Sequence, residues 1–275
     1  MSKTKGCFIS ILVILVVIVL LFVIISLINL NPGGKDILLL GMDEREESNE
    51  FNSLTDTIII YHISSWGKKD SLISIPRDTR VDLEGHGWNK INAAYEYGGA
   101  EMIKQEIYEL TGIEIDRVMV ANFNGFKGII DILGGIDIMV DEPLHDPLSG
   151  TDFDPGITYT MNGEQALAFA RDRSSTAGSD FDRVNRQKYL LSEIIRQKLN
   201  FSIVTKAPQI IRVLNAETRS DFTIWDFGSI GFVLLFSSKD MNQVTIPTEP
   251  ANIDGISYLI ADKEEVVSFL NDYLK

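Results

Sequence analysis

The chain is nearly without cysteine. Cys7 is the single one in 275 residues, so the rest of the molecule holds no disulfide and offers no thiolate to a metal. Histidine is almost as scarce, and His62, His86 and His145 are too scattered for zinc-ligand spacing. No GxxxxGK[ST] loop is present, which removes the usual nucleotide cradle. No GxSxG elbow is present either, which leaves no candidate for that form of acyl-transfer serine. Basic charge is also lacking. Formal net charge is −14, and the two lysines before residue 31, Lys3 and Lys5, face no Asp or Glu there. The remainder therefore carries 23 basic residues against 39 acidic ones, a net of −16. Such a surface excludes nucleic acid as a partner, because phosphate backbones need a basic face, and it disfavours general adhesion to anionic lipid.

What the chain does have, first, is a long apolar run. Phe8 to Leu30 contains no charged residue. At ~1.5 Å per residue its 23 residues reach ~35 Å, enough to cross a hydrocarbon core of ~30 Å. The run is too long for a signal peptide and no small-x-small cleavage site follows it. Cys7 precedes it, so it is no lipoprotein signal. The expectation is an uncleaved anchor. Residues 1–7 form a cytoplasmic tail, 8–30 a transmembrane helix and 31–35 a linker, with Lys3 and Lys5 holding the N-terminus inside. Residues 36–275 then form one extracellular domain, large enough to bury its own core without disulfides.

The domain reads as α/β, a central, mostly buried sheet flanked by helices. Asp36–Gly41, Thr57–Ile63 and Ser71–Ile75 are β-branched runs bounded by turn residues, as in strands covered on both faces. Ser64–Asp70 joins the last two as a hairpin connection. Ile91 to Leu110 reads as a helix interrupted at Gly98-Gly99, Arg117–Phe123 as a strand, and Asn124–Leu133 as a helix closed by Gly134-Gly135. Ile136–Val140 alternates like a half-exposed strand. Asp141–Thr160, with Pro143, Pro147 and Pro155, reads as loop. Asn162 and Gln165 form a capping-box pattern before Ala166–Ala170, and Phe181–Leu199 is a long amphipathic helix.

Against this acidic background stands a set of arginines and carboxylates at the ends of the buried runs. They are Asp43 and Arg45 in GMDER, Asp56 in LTDT, Arg77 and Asp78 in SIPRDTR, and Arg171, Arg173, Arg183, Arg186 and Gln187 in FARDRSSTAGSDFDRVNRQ. Loops at strand ends are where an α/β scaffold presents reactive groups. Arginine forks match phosphate oxygens, and carboxylates suit a hard cation or a proton. Arg183, Arg186 and Gln187 share a helical face above an apolar stripe of Leu190 and Ile194, an arrangement that suits an amphiphile with an anionic head. The plainer readings are a solvated salt-bridge face with Asp180, Asp182 and Glu193, and ordinary cap or turn roles for each aspartate. Together the groups point to a diphosphate site.

In order and spacing, DILLLGMDER, LTDTIIIYHI, DSLISIPRDTRV, KINAAYEYGGAE, ANFNGF, ILGGIDI, MNGEQALAFARDR and SDFDRVNRQ resemble the LytR-CpsA-Psr (LCP) family of membrane-anchored cell-wall ligases, over about residues 36–200. The resemblance implies a transferase that moves an anionic glycopolymer (teichoic acid, capsule or secondary wall polysaccharide) from undecaprenyl diphosphate to a sugar hydroxyl of peptidoglycan, outside the membrane of a Gram-positive cell. It implies a lipid tunnel between sheet and helices. It further implies a diphosphate clamp of Arg77, Arg171, Arg173, Arg183 and Gln187, with Arg45 and Arg186 as further candidates. Asp43 and Asp56 become the ligands of Mg²⁺ (or Mn²⁺), either of them able to take the acceptor's proton. Catalytic roles fall to Asp43, Asp56, Arg77 and Arg183. The family commonly has Arg two places before that second aspartate, where this chain has Leu54, and Gln where it has Lys188. A hydrolase, or a lipid-diphosphate-binding regulator, uses the same groups. The polymer, the acceptor sugar and the oligomeric state are not legible from these residues.

Overall fold

A computed structural model describes residues 34–42, 54–64, 69–172, 180–198, 202–222 and 240–274. The expected tail, anchor and all but the end of the linker, together with Asp43, Arg45 and Arg173, lie outside them. No helix among the described residues is long and apolar enough to cross a membrane.

In chain order the elements are β1 (Lys35–Met42), β2 (Thr55–Ile63), β3 (Ser71–Ser74), β4 (Arg80–Leu83) and β5 (Gly87–Lys90). A 3₁₀ turn at Ile91–Ala93 leads into α1 (Ala94–Thr111), followed by β6 (Arg117–Ala121), α2 (Phe123–Leu133) and β7 (Ile136–Val140). Then come β8 (Leu144–Asp146), β9 (Thr151–Phe153), β10 (Ile157–Met161), α3 (Gly163–Arg171), α4 (Asp180–Lys198) and α5 (Ser202–Glu217). The chain closes with β11 (Thr218–Ser220), β12 (Asn242–Thr245), β13 (Glu249–Ile253), β14 (Ile256–Ile260) and α6 (Lys263–Leu270).

A mixed six-stranded sheet in the order β11-β6-β1-β2-β3-β12 forms the centre. β1, β2 and β3 pair antiparallel in succession, while β6 runs parallel to β1 and β12 parallel to β3. The apolar runs are continuous because both faces are covered. Leu38, Leu40, Ile58, Ile60 and Ile73 pack with Ile103 and Ile107 of α1 and Val266 and Leu270 of α6. Ile37, Ile59, Tyr61 and Leu72 face the other way, against Leu191 and Ile195 of α4. Leu38 and Ile60 are fully buried, and each such side chain contributes roughly 1.5–3 kcal/mol over its exposed state. A further cluster unites β7, β10, α2, α3 and α4 around Ile138, Met161, Phe169 and Leu190.

Local signals act where the sequence places them. The side chain of Asn162 accepts from the Gln165 amide at 2.9 Å, and Gln165 accepts from the Asn162 amide at 3.1 Å, so the capping box starts α3. A Cβ on Gly163 would lie 2.3 Å from the carbonyl oxygen of Lys127, so only glycine lets α3 approach α2 this closely. Gly99, at φ 64°, kinks α1 where the Gly-Gly interruption was expected.

Three boundaries differ from expectation. Asp56 lies inside β2 instead of ahead of it. The strand at Arg117 stops at Ala121, because Asn122 caps α2 by accepting from the Gly125 amide at 2.7 Å. The 141–160 segment is not loop throughout. It holds the β8–β9 hairpin and most of β10, whose Ile157 to Met161 pair with β7. Its prolines fall between these strands, where none has to donate to a ladder.

Candidate functional site

Three adjoining cavities lie where β1, β2 and β3 end against α3 and α4. The first, about 270 Å³, is apolar, lined by Leu39, Ile59, Met119, Phe126, Ile130, Leu167, Leu190, Leu191 and Ile194, between the sheet and α2, α3 and α4. The second, about 510 Å³, is its mouth, lined by Gly41, Asp56, Phe123, Arg171 and Arg183 and roofed by Asp146, Leu148 and Ser149 of the β8–β9 turn. The third, about 500 Å³, continues past Asp56, Arg77, Asp78 and Arg183 to Thr245, Pro247 and Leu259. Thr57 and Gln187 line all three.

Strand ends aim the polar groups. Pro76 terminates β3 and projects Arg77, whose Nη1 donates to Asp56 Oδ1 at 2.5 Å. Arg77 Nε stands 3.7 Å from Asp78 Oδ2, and Lys90 Nζ 2.6 Å from Asp78 Oδ1. The loop carrying Arg77 is fixed from behind. Thr79 folds its hydroxyl and amide onto the Pro76 carbonyl. The amides of Ile91 and Asn92 donate to the carbonyls of Thr79 and Arg77. The KINAAY segment thus works as a brace for the IPRDT loop. Arg183 enters from the first turn of α4 and is only 4% exposed, while Arg171, at the end of α3, lies over the Phe123 ring at 4.6 Å.

The structure therefore brings together Asp56, Arg77, Arg171, Arg183 and Gln187. It does not bring Arg186 with them. That side chain turns away to donate to Glu142 at 2.7 Å and to the Asp172 carbonyl at 2.5 Å, and it lines none of the three cavities. Its i,i+3 spacing from Arg183 placed it on the same broad face, but Glu142 and Asp172 hold it below the β8–β9 hairpin. Asp172, fully buried, accepts from the hydroxyls of Thr151 and Ser149, and so anchors that hairpin over the mouth. Leu54 is exposed and lines none of the cavities. Lys188 lines none of them either, although its partner Thr245 does. It is buried, donates to the Thr245 hydroxyl at 2.8 Å, and burial lowers its pKa to about 8.

Sequence reasoning missed Thr57, Phe123 and the Thr245–Pro247 wall. The last left a trace: Ser74-Ile75-Pro76 and Thr245-Ile246-Pro247 are parallel neighbours in register, each strand closed by the same Ile-Pro step.

Among the described residues no three His, Cys, Asp or Glu side chains converge on a metal position. Mg²⁺ is commonly held by one or two carboxylates plus substrate phosphate oxygens and water; of the two expected ligands, Asp56 lies among the described residues and Asp43 does not. Asp56 Oδ1 accepts from Arg77, and the residue lines both polar cavities.

An apolar cavity opening at a cationic mouth matches an amphiphile with an anionic head. The LytR_cpsA_psr family model matches residues 25–275. The polyisoprenyl-teichoic acid–peptidoglycan teichoic acid transferase TagU of Halalkalibacterium halodurans is 32% identical over 231 residues, spanning 84% of this chain and 75% of the relative. The crystal structure of Bacillus subtilis TagV superposes with a TM-score of 0.74 at 27% identity, covering 89% of this chain and 98% of that one. The B. subtilis protein YwtF (TagT), solved with bound octaprenyl pyrophosphate lipid, shares the fold at a TM-score of 0.65 and 23% identity, over 88% and 92% of the two chains. By its sequence and its fold, this chain belongs to the LytR_cpsA_psr family.

Proposed function

We propose that the protein transfers an anionic glycopolymer from a polyprenyl diphosphate carrier to a sugar hydroxyl of peptidoglycan. The observation that carries this reading is the junction at Thr57 and Gln187, where an apolar cavity of about 270 Å³ opens directly onto an arginine-rimmed polar one. The polyprenyl chain fills the first and the diphosphate lies across the second. The TagU relative is named for this reaction, and YwtF (TagT) has been captured with a lipid of this kind.

In this reading Arg77, Arg171 and Arg183 neutralise the diphosphate and hold it in line for attack, and Arg45 and Arg173 complete the clamp. The acceptor oxygen bonds to the glycan-bearing phosphorus. The bond from that phosphorus to the bridging oxygen breaks, and polyprenyl phosphate leaves with the electron pair. Asp56 takes the acceptor's proton. Positioning and charge neutralisation supply most of the rate, as in other phosphoryl transfers. Asp56, with Asp43, would hold Mg²⁺ (or Mn²⁺), which when bound adds positive charge beside the diphosphate oxygens. Residues 8–30 anchor the chain in the cell membrane, with the catalytic domain on its outer face.

The test uses the purified full chain with a short polyprenyl-diphosphate sugar, Mg²⁺ and soluble peptidoglycan strands, read by mass spectrometry. The expected products are a sugar-phosphate adduct on the glycan and free polyprenyl phosphate. Free sugar phosphate without adduct would replace transfer by hydrolysis. Intact lipid despite tight binding would replace it by a sensor.

A further inference from the structure

We propose that the outer face of the β4–β5 hairpin is the acceptor subsite. There Trp88 stacks on a pyranose ring of the peptidoglycan strand, and Arg80 donates to its acetamido or carboxylate oxygens. The inference rests on the transferase reading above and names where that reaction's second substrate lies.

The hairpin has two unlike faces. Val81 and Leu83 point inward and are buried in the main core. Arg80 pairs across the ladder with Lys90, and Asp82 with Trp88, on the opposite face. A tryptophan here has no core to fill, yet it is 58% exposed and held in place. The guanidinium of Arg80 lies 4.1 Å from the centroid of its ring and 5.7 Å from that of Tyr258. One face of the indole is thereby covered and fixed, and the solvent-exposed area is what remains. Among the described residues the Arg80 side chain makes no hydrogen bond or ion pair, and its Nε is buried without an acceptor. An arginine pinned by two aromatic rings, with its donors unspent, is prepared for a polar ligand that also presents an apolar face. A sugar ring does both, through its axial C–H bonds and its hydroxyl or acetamido groups. At the hairpin's turn His86 stacks on Tyr97 at 4.1 Å and 3°, a second flat surface on the same element.

Position decides between donor and acceptor. Trp88 and Lys90 are two residues apart on one face, roughly 7 Å. Lys90 is bonded to Asp78, and Asp78 adjoins Arg77 on the wall of the polar cavity. The same wall continues into Leu259, whose amide donates to the Asp78 carbonyl and whose neighbour is Tyr258. The platform therefore joins the polar cavity on its Asp78–Leu259 rim, while the apolar cavity enters through Thr57 and Gln187. In-line displacement brings the attacking hydroxyl in from the side opposite the leaving group. If polyprenyl phosphate leaves toward the apolar cavity, the acceptor arrives from the hairpin side.

The experiment measures binding separately from turnover. The full chain, with wild-type sequence, Trp88→Phe, Trp88→Ala or Arg80→Met, is titrated by calorimetry with the tetramer of N-acetylglucosamine and with soluble peptidoglycan strands. In parallel it is titrated with a polyprenyl-diphosphate sugar. Trp88→Ala is expected to weaken glycan binding about tenfold, the size usual for truncating an aromatic anchor. Trp88→Phe should retain most of the affinity, Arg80→Met should lose a similar factor to Trp88→Ala, and in turnover only the acceptor KM should rise. Equal glycan affinity in wild type and Trp88→Ala overturns the proposal, as does absence of glycan binding in wild type. A loss confined to the lipid-linked donor overturns it too, by making the face a donor subsite. Glycan binding that depends on Trp88, in a protein that transfers nothing, upholds the subsite while refuting the transferase.

Discussion

The hydroxyl of Thr57 donates to Oε1 of Gln187 across 3.1 Å, and the Gln187 amide donates in turn to the Ala170 carbonyl at 3.4 Å. One uncharged side chain thus ties β2, α3 and α4 together at the point where the apolar and polar cavities meet. Gln187→Met keeps the length but leaves the Thr57 hydroxyl and the Ala170 carbonyl without this partner. The expected result is about 1–2 kcal/mol of lost stability in denaturant titration, with kcat/KM down at least tenfold. A stability loss without a rate effect would reduce Gln187 to a structural tie.

Arg77 and Arg183 reach the same polar cavity from opposite walls, one from a strand end and one from a helix start. Either alanine substitution should lower transfer by about 10²–10³-fold, the range found when a single preorganised charge-stabilising donor is removed. The far-ultraviolet circular dichroism should stay unchanged. Arg77→Lys should rescue poorly, because a lysine cannot both hold Asp56 and present a planar fork. Wild-type-like rates in both alanine variants would refute the clamp.

Asp56 lines both polar cavities and accepts from Arg77 through Oδ1. Asp56→Asn removes the charge and keeps the shape. Transfer should then need about tenfold more Mg²⁺ or Mn²⁺ for its half-maximal rate, as expected when a ligand to the metal is weakened. An unchanged metal titration would remove Asp56 from the metal side and leave it the proton-acceptor role.

Much of this arrangement was legible in residue order. The continuous apolar runs read as strands covered on both faces, and the capping box and the glycine kink did what such signals do locally. The shared-face argument worked for Arg183 and Gln187 because both positions look into the cavities. It failed for Arg186 because helical spacing says which residues are neighbours, not which carboxylate will capture one of them. Glu142 and Asp172 are 44 and 14 residues away in sequence, and only tertiary packing brings them there. The β8–β9 strands were missed for a related reason. Three residues are too few to show alternation, and their register is held by Asp172 from another element. Trp88 and Arg80 carry no helical or strand signature of function, and their stacking exists only once the hairpin is closed.

Arg186 supplies a contrast to the clamp. Its side chain is 8% exposed, paired to a Glu142 that is 33% exposed. Arg186→Leu removes the donor to the buried Asp172 carbonyl and the partner of Glu142, and the cost should be about 1–3 kcal/mol of unfolding free energy in denaturant titration. Because the hairpin over the mouth is anchored through Asp172, the folded fraction should also bind donor more weakly at high temperature. Its affinity at low temperature should match wild type. A loss of diphosphate affinity at low temperature, with stability intact, would return Arg186 to the clamp.

Lys188 gives a pH signature. Burial lowers its pKa to about 8 from 10.5, and among the described residues its ammonium donates to the Thr245 hydroxyl. Below pH 8 both folded and unfolded chains hold the proton, and the folded state bears the full penalty of a buried charge. Between pH 8 and 10.5 the folded protein sheds the proton before the unfolded chain does, so the unfolded state binds more protons and stability rises with pH. Above 10.5 both are neutral and the penalty is gone. Lys188→Gln removes the titration while keeping a donor for Thr245. It should raise Tm at pH 7 by about 2–4 °C for each ~1 kcal/mol relieved in a domain of this size, and the advantage over wild type should shrink steadily as pH is taken from 8 toward 10.5. A Tm difference that stays constant across this range would show that Lys188 acts through packing alone, and a difference that grows would reverse the sign of the argument.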